Sequence, residues 1–219
     1  MATPPKRRIG RGALEALGAV PLFVAAPLYR RWHLRWGATE DEISGPMPGD
    51  ELVSRAQFDA TRAITIDAPP EAVWPWIVQM GHGRAGFYSY DLLDNAGYAS
   101  ADQVIADFQE PREGDWMPMA KRVNETTAHR VASFVPNEWL LWAKPNSTWA
   151  WKLMPLEGDR TRLVVRLKQH YDWRSPGKAL LAAFLMELGD PPMMRRALRG
   201  IKQRAERMPR STASDAVPV

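Results

Sequence analysis

The 219-residue sequence has no cysteine. That removes disulfides, thiolate nucleophiles, iron–sulfur clusters and cysteine zinc sites together. Histidine is scarce, at four, and with the carboxylates these residues form no metal set, carboxylate pair or nucleophile–base arrangement at recognisable spacing. A long apolar run is also missing. Residues 13 to 29 (ALEALGAVPLFVAAPLY) reach 17 residues and are broken by Glu15, Pro21 and Pro27, short of the ~20 uninterrupted apolar residues of a usual span. The chain therefore calls for no cofactor and no metal, and a reducing cytoplasm suits it.

What is present is an ordinary globular composition, 45% hydrophobic and 25% charged, able to bury a sizeable core. The net charge of +4 is unevenly spread: residues 1–36 carry +6, residues 193–219 carry +5, and the stretch between carries −7. Nucleic-acid binding asks for positive charge interleaved with stacking aromatics on the domain itself. An acidic body with basic ends argues against it.

The basic start, with Lys6, Arg7, Arg8 and Arg11 before the apolar stretch and Arg30 and Arg31 after it, fits a docked or interfacial helix, a span or a cleaved signal. Trp32 and Trp36 lie one turn apart beside those arginines, a composition that anchors helices at headgroups. Residues 1–36 are thus read as a basic, apolar helical segment, with Arg30, Arg31, Trp32 and Trp36 membrane-proximal. Residues 37–60 read as a linker or covering loop, in which Thr39 and Glu42 have capping-box spacing.

From residue 61 to residue 208 the periodicity describes one domain. Thr61 to Ala68 alternates as a strand with Ile64 and Ile66 on one face. Short helices follow at Glu71–Met80 and Asp91–Asn95, separated by Gly81, Gly83 and Gly86, a hinge requiring positive φ. Five strands come next, at 115–119, 129–134, 138–143, 148–154 and 161–170, joined by connectors rich in Gly, Pro and Asn as hairpins require. A helical stripe of Leu180, Leu181, Phe184, Leu185 and Leu188 precedes Gly189-Asp190-Pro191-Pro192, where Asp190 suits an N-cap. Met194, Leu198, Ile201, Ala205 and Met208 then mark a long amphipathic helix. Residues 209–219 read as a disordered tail. The layout is α+β: a curved antiparallel sheet with two short helices after strand 1, gripped by a long C-terminal helix.

That order, with APPEAVWPWIVQMGHGRAGFYSYDLLDNAG at residues 68–97, resembles the START/polyketide-cyclase/birch-pollen-allergen (SRPBCC) superfamily of helix-grip proteins. Residues 36–39 (WGAT), 48–50 (PGD) and 200–202 (GIK) are similar to a group of bacterial members. The resemblance spans about residues 36–208 and implies the helix-grip fold. Function is left open, because members include lipid carriers, receptors, aromatase/cyclases and oxygenase subunits. The oxygenase branch is disfavoured, since no two-His-one-carboxylate set exists among the four histidines.

Within such a fold, Leu163, Val165 and Leu167 fall on the inward parity of the last strand, as do Trp149 and Trp151 on the one before. They line a cavity or fill a core. Gln79, His82, Arg84, Tyr88 and Tyr90 supply polar groups for its mouth, with His82 and Tyr88 the acid–base candidates and His129 and His170 the remaining reactive histidines. His170 and Asp172 share a face, but it is the charged side with Arg166 and Lys168. The expected function is the binding of a small hydrophobic, lipid- or polyketide-like molecule. A cyclase or dehydratase and a membrane-associated protein with a filled core are the alternatives.

Overall fold

Alternating apolar strands and tight polar turns build a six-stranded sheet: β1 (Phe58–Ile66), β2 (Trp116–Pro118), β3 (Ala128–Val135), β4 (Trp139–Lys144), β5 (Ser147–Leu156) and β6 (Arg160–Gln169). All neighbours are antiparallel, in the order β1-β6-β5-β4-β3-β2. Asn137 and Asp159 take positive φ in the β3–β4 and β5–β6 turns, a conformation these residue types tolerate. β1 begins earlier than the alternation from Thr61 suggested. Phe58 is fully buried opposite Gln169 and extends the strand.

The computed structural model describes residues 27 to 208; expectations for residues 1–26 and for the tail at 209–219 lie outside the described residues. The chain divides into two units, Met1–His33 and Leu34–Val219. In the first, residues 27–33 are helical and the Tyr29 ring meets those of Trp32 and His33. No helix among the described residues is long and apolar enough to cross a membrane.

In the second unit, α1 (Glu40–Ser44), α2 (Pro70–Val78) and α3 (Asp91–Asp94) are short, while α4 (Pro176–Phe184), a π turn (Leu185–Gly189) and α5 (Asp190–Ala205) run on as one long C-terminal helix. This is the helix-grip architecture. Asp190 is not an N-cap. Its N–H reaches back to the Leu185 carbonyl, a five-residue step that lets the helix pass Pro191 and Pro192, whose rings clash with a regular turn and donate no N–H. Met194, Leu198, Ile201 and Ala205 of α5 are buried. At Gly200 an added Cβ would fall 2.7 Å from Tyr88 Cβ and nearer still to its carbonyl oxygen, so helix and loop meet there only because the side chain is absent.

Residues 37–56 cover the outer face of β1, β6 and β5. The Thr39–Glu42 capping box forms at α1, and Arg162 grips Glu42 through two hydrogen bonds of 2.7 and 2.9 Å, which hold the Glu42 carboxyl below its usual range. Arg166 meets Asp50 at 2.6 Å and donates to three carbonyls of the same segment. The charged side of β6 is therefore covered rather than solvated. His170 and Asp172 do not pair: the ring Nδ1 of His170 lies 3.1 Å from the Arg55 carbonyl, and Asp172 accepts the Arg174 N–H.

Candidate ligand-binding cavity

The inner face of the sheet is occupied in two different ways. Toward its middle, Trp142, Trp149 and Trp151 form a mutual cluster, Trp142 edge-on to the other two rings, with ring centroids 5.1 to 5.4 Å apart. Trp151, Leu163 and Val165 are 0 to 2% exposed and belong to the packed core. Farther along, a cavity of about 540 Å³ opens, with Trp149, Leu167 and Gln169 on its sheet wall. Its opposite wall comes from α5 and the π turn (Met186, Gly189, Met193, Met194, Ala197), and its side from Met80, Phe87 and Ser89. Leu93, Met119 and Leu185, all 38% or more exposed, stand at the mouth. Of the residues expected to line a cavity, Trp149 and Leu167 do so.

Two polar groups of residues interrupt these apolar walls. On the sheet side are His129, Lys144 and Ser147. The Ser147 hydroxyl donates to the Lys168 carbonyl at 2.9 Å, so its oxygen must accept at 3.3 Å from His129 Nε2. This fixes the neutral Nε2–H tautomer and leaves Nδ1 as an acceptor with no protein partner. Burial, and secondarily the Lys144 charge, pull the His129 pKa down to about 3, so the ring stays neutral. Lys144 donates to the Thr126 carbonyl at 3.2 Å and among the described residues forms no ion pair; burial lowers its pKa. On the helix side, burial holds Asp94 above the usual carboxylate range, while the Ser89 hydroxyl donates to the Met193 carbonyl at 3.0 Å. Asp190 forms an ion pair with Arg62 of β1 at 2.7 Å. Among the described residues no cluster of His, Asp or Glu could hold a metal ion.

The polar residues expected at the mouth are not brought together there. The Gln79 amide is fully used: its Nε2 donates to the Tyr88 hydroxyl and the Gln103 carbonyl, and its Oε1 accepts from Ile105 N and Gln109 Nε2. Tyr88 donates to the Trp76 carbonyl at 3.0 Å, and burial pushes its pKa up. Arg84 binds the Val78 and Trp116 carbonyls and lies 4.5 Å from the Phe108 ring centroid. Gln79 and Arg84 thus tie down the segment from Gln103 to β2, and Tyr88 is held between Gln79 and Trp76. His82 sits on the turn closed by the Gly81–Gly86 bridge, outside the cavity, where Gly81, Gly83 and Gly86 take the positive φ expected of them. Tyr90 is at the surface with Arg196 over its ring.

Of the residues read as membrane-proximal, Arg30, Arg31 and Trp32 are exposed, whereas Trp36 packs on the core with Arg195 and Arg199 near its ring. Five apolar side chains of the C-terminal helix, Leu180, Leu181, Phe184, Leu185 and Leu188, are 52 to 61% exposed. The periodic stripe exists, but only Ala179 of α4 is buried.

No protein-family model matches this chain, and no curated protein does. Among solved structures it is similar to the Polyketide_cyc-like protein Cgl2372 from Corynebacterium glutamicum, at 16% identity and a TM-score of 0.42, over 66% of this chain and 89% of that one. It is also similar to protein MLL2253 from Mesorhizobium loti, at 15% identity and a TM-score of 0.39, over 68% and 98%. A protein from Thermobifida fusca matches at 14% identity and a TM-score of 0.42, over 68% and 93%. Likeness at this level carries no argument about the site.

Proposed function

We propose that the protein binds a small lipophilic molecule in this cavity, as a carrier or receptor rather than a catalyst. The observation that carries the reading is the 540 Å³ space walled by Met80, Phe87, Trp149, Leu167 and Met194, a volume within the ~300–1,000 Å³ of small-molecule sites. Lys144 and His129 would receive the polar end of the ligand. The acid–base alternative through His82 and Tyr88 has less to support it. Neither residue lines the cavity, and the Tyr88 hydroxyl is committed to Trp76 and Gln79. Native mass spectrometry of the protein purified from its source organism should reveal a stoichiometric lipophile. A ligand-free protein that also fails to bind 1-anilinonaphthalene-8-sulfonate would overturn the reading.

A second reading, that the ligand is loaded from a lipid surface, is favoured by the exposed stripe from Leu180 to Leu188. Its Leu185 is also part of the cavity mouth, and apolar area of this kind partitions into a headgroup boundary. In vesicle flotation with phosphatidylcholine–phosphatidylglycerol mixtures, the full chain should rise and the Leu181→Asp/Phe184→Asp variant should rise less. Equal flotation of both would exclude the stripe as the contact.

A further inference from the structure

On the far side of the Ser89–Asp91 segment lies a second concavity, a groove of about 350 Å³ whose walls include Tyr88, Asp91, Arg196, Arg199, Gln203 and Arg204. Three guanidinium groups line it from one face of α5, and among the described residues none forms an ion pair with a carboxylate. Arg196 lies 4.5 Å from the Tyr90 ring centroid and Arg199 lies 5.7 Å from that of Trp36. Arg204 lies 4.5 Å from the Tyr88 ring centroid, donates through Nε to the Ala101 carbonyl at 2.7 Å, and through Nη1 to Gly200. The one acid in the walls, Asp91, already accepts the Ser100 hydroxyl at 2.5 Å. Asp102 and Arg207, beyond the walls, also act on Arg204 with opposite signs, so the three wall cations against the one wall anion leave two positive charges in excess in a concave, polar space.

An ordinary solvated basic face looks different. On the same helix Lys202 pairs with Glu206 at 2.8 Å and with Asp67 at 3.4 Å. The groove arginines instead lean on aromatic faces, an arrangement that holds the guanidinium plane while leaving N–H edges free to donate. Bidentate donation from several such edges suits tetrahedral oxyanions, and two excess charges suit a dianion better than a carboxylate. We propose that this groove binds a phosphate dianion, carried on a phosphomonoester. A nucleic-acid backbone fits poorly, since it presents a line of singly charged diesters to a groove that holds one group.

The test is titration of the full chain with inorganic phosphate at about pH 8, where the dianion prevails, at low ionic strength so that screening does not mask the site. Phosphorus-31 NMR should show saturable binding that acetate does not displace. Affinity should fall about tenfold or more for each arginine removed, on the usual strength of charged hydrogen bonds, in Arg196→Gln and Arg196→Gln/Arg199→Gln. Both side chains are exposed, so these variants should fold, and Arg160→Gln in the β5–β6 turn serves as an unaffected control. A second arm uses phosphatidylcholine vesicles doped with phosphatidic acid or with phosphatidylserine. Arginine-dependent binding to phosphatidic acid alone identifies a lipid headgroup, and phosphate binding without vesicle binding identifies a soluble ester; either supports the site. Absence of saturation, or binding unchanged in the double variant, overturns it.

Discussion

Asp190→Ala is expected to destabilise the protein by about 3–5 kcal/mol, the cost of breaking a buried ion pair by removing one member. Arg62 is 2% exposed and Asp190 11%, with their charged atoms 2.7 Å apart. Arg62, the more deeply buried partner, keeps its charge away from bulk water when the carboxylate is gone. For a chain of this size the loss corresponds to a fall in Tm of about 2–4 °C per kcal/mol. Arg62→Met alone should cost less than Asp190→Ala, because Met fills the hole with an apolar stem and the remaining carboxylate lies nearer to solvent. The double variant Arg62→Met/Asp190→Leu should recover most of the loss, as apolar replacements of whole buried pairs do. Urea denaturation, reading the midpoint at constant m, is the measurement. An Asp190→Ala midpoint equal to wild type would mean that the pair contributes nothing.

The position of this pair links stability to the cavity. Asp190 begins α5 immediately after the π turn and also lines the cavity, while Arg62 lies on the inward face of β1. The ion pair therefore ties the helix start to the sheet at the place where their separation sets the width of the space between them. A purely apolar contact could stabilise the same approach, but it would fix the rotation of the helix less specifically.

The fold was largely legible because its signals are local and repeated. Strand alternation, hairpin turns and the 4, 3, 4, 3 spacing from Met194 to Met208 each recur several times, and one irregular position cannot erase them. The site was less legible because it depends on which inward residues pack and which face empty space. Trp149 and Trp151 share a parity and a residue type, and only the tertiary arrangement separates them. Gln79 and Tyr88 have the chemistry of a binding site, but Gln79 is taken up by Gln103, Ile105 and Gln109 and the Tyr88 hydroxyl by Trp76 and Gln79, and such loop and side-chain contacts have no periodic signature. Two signals were present and went unread. Arg62 falls on the same parity as Ile64 and Ile66, and a cation on an inward face demands a buried partner. His129 and Lys144 stand at opposite ends of the hairpin formed by β3 and β4, which register brings together: Arg130 pairs with Ala143, placing their neighbours beside one another. The exposed stripe from Leu180 to Leu188 shows the converse limit. Periodicity specifies a face, not what covers it.

The two tryptophans supply the test of where the core ends and the cavity begins. Trp151 is fully buried against the rings of both Trp142 and Trp149, opposite Leu140 and Val165. Removing its indole leaves a void that close packing cannot collapse, so Trp151→Ala should cost about 3–5 kcal/mol. Trp149 is almost as buried, but its other side is the cavity wall. The space created by Trp149→Ala joins one that already exists, so the void contributes less and the loss should be smaller by about 1 kcal/mol or more. Ligand binding should show the reverse order. With 1-anilinonaphthalene-8-sulfonate as the probe, at a temperature where both variants are folded, Trp149→Ala should weaken binding severalfold by removing an aromatic wall. Trp151→Ala, once corrected for its unfolded fraction, should leave the affinity close to wild type. If Trp149→Ala bound the probe as tightly as wild type while Trp151→Ala did not, the binding space would lie within the tryptophan cluster itself, and the cavity beside α5 would not be the site.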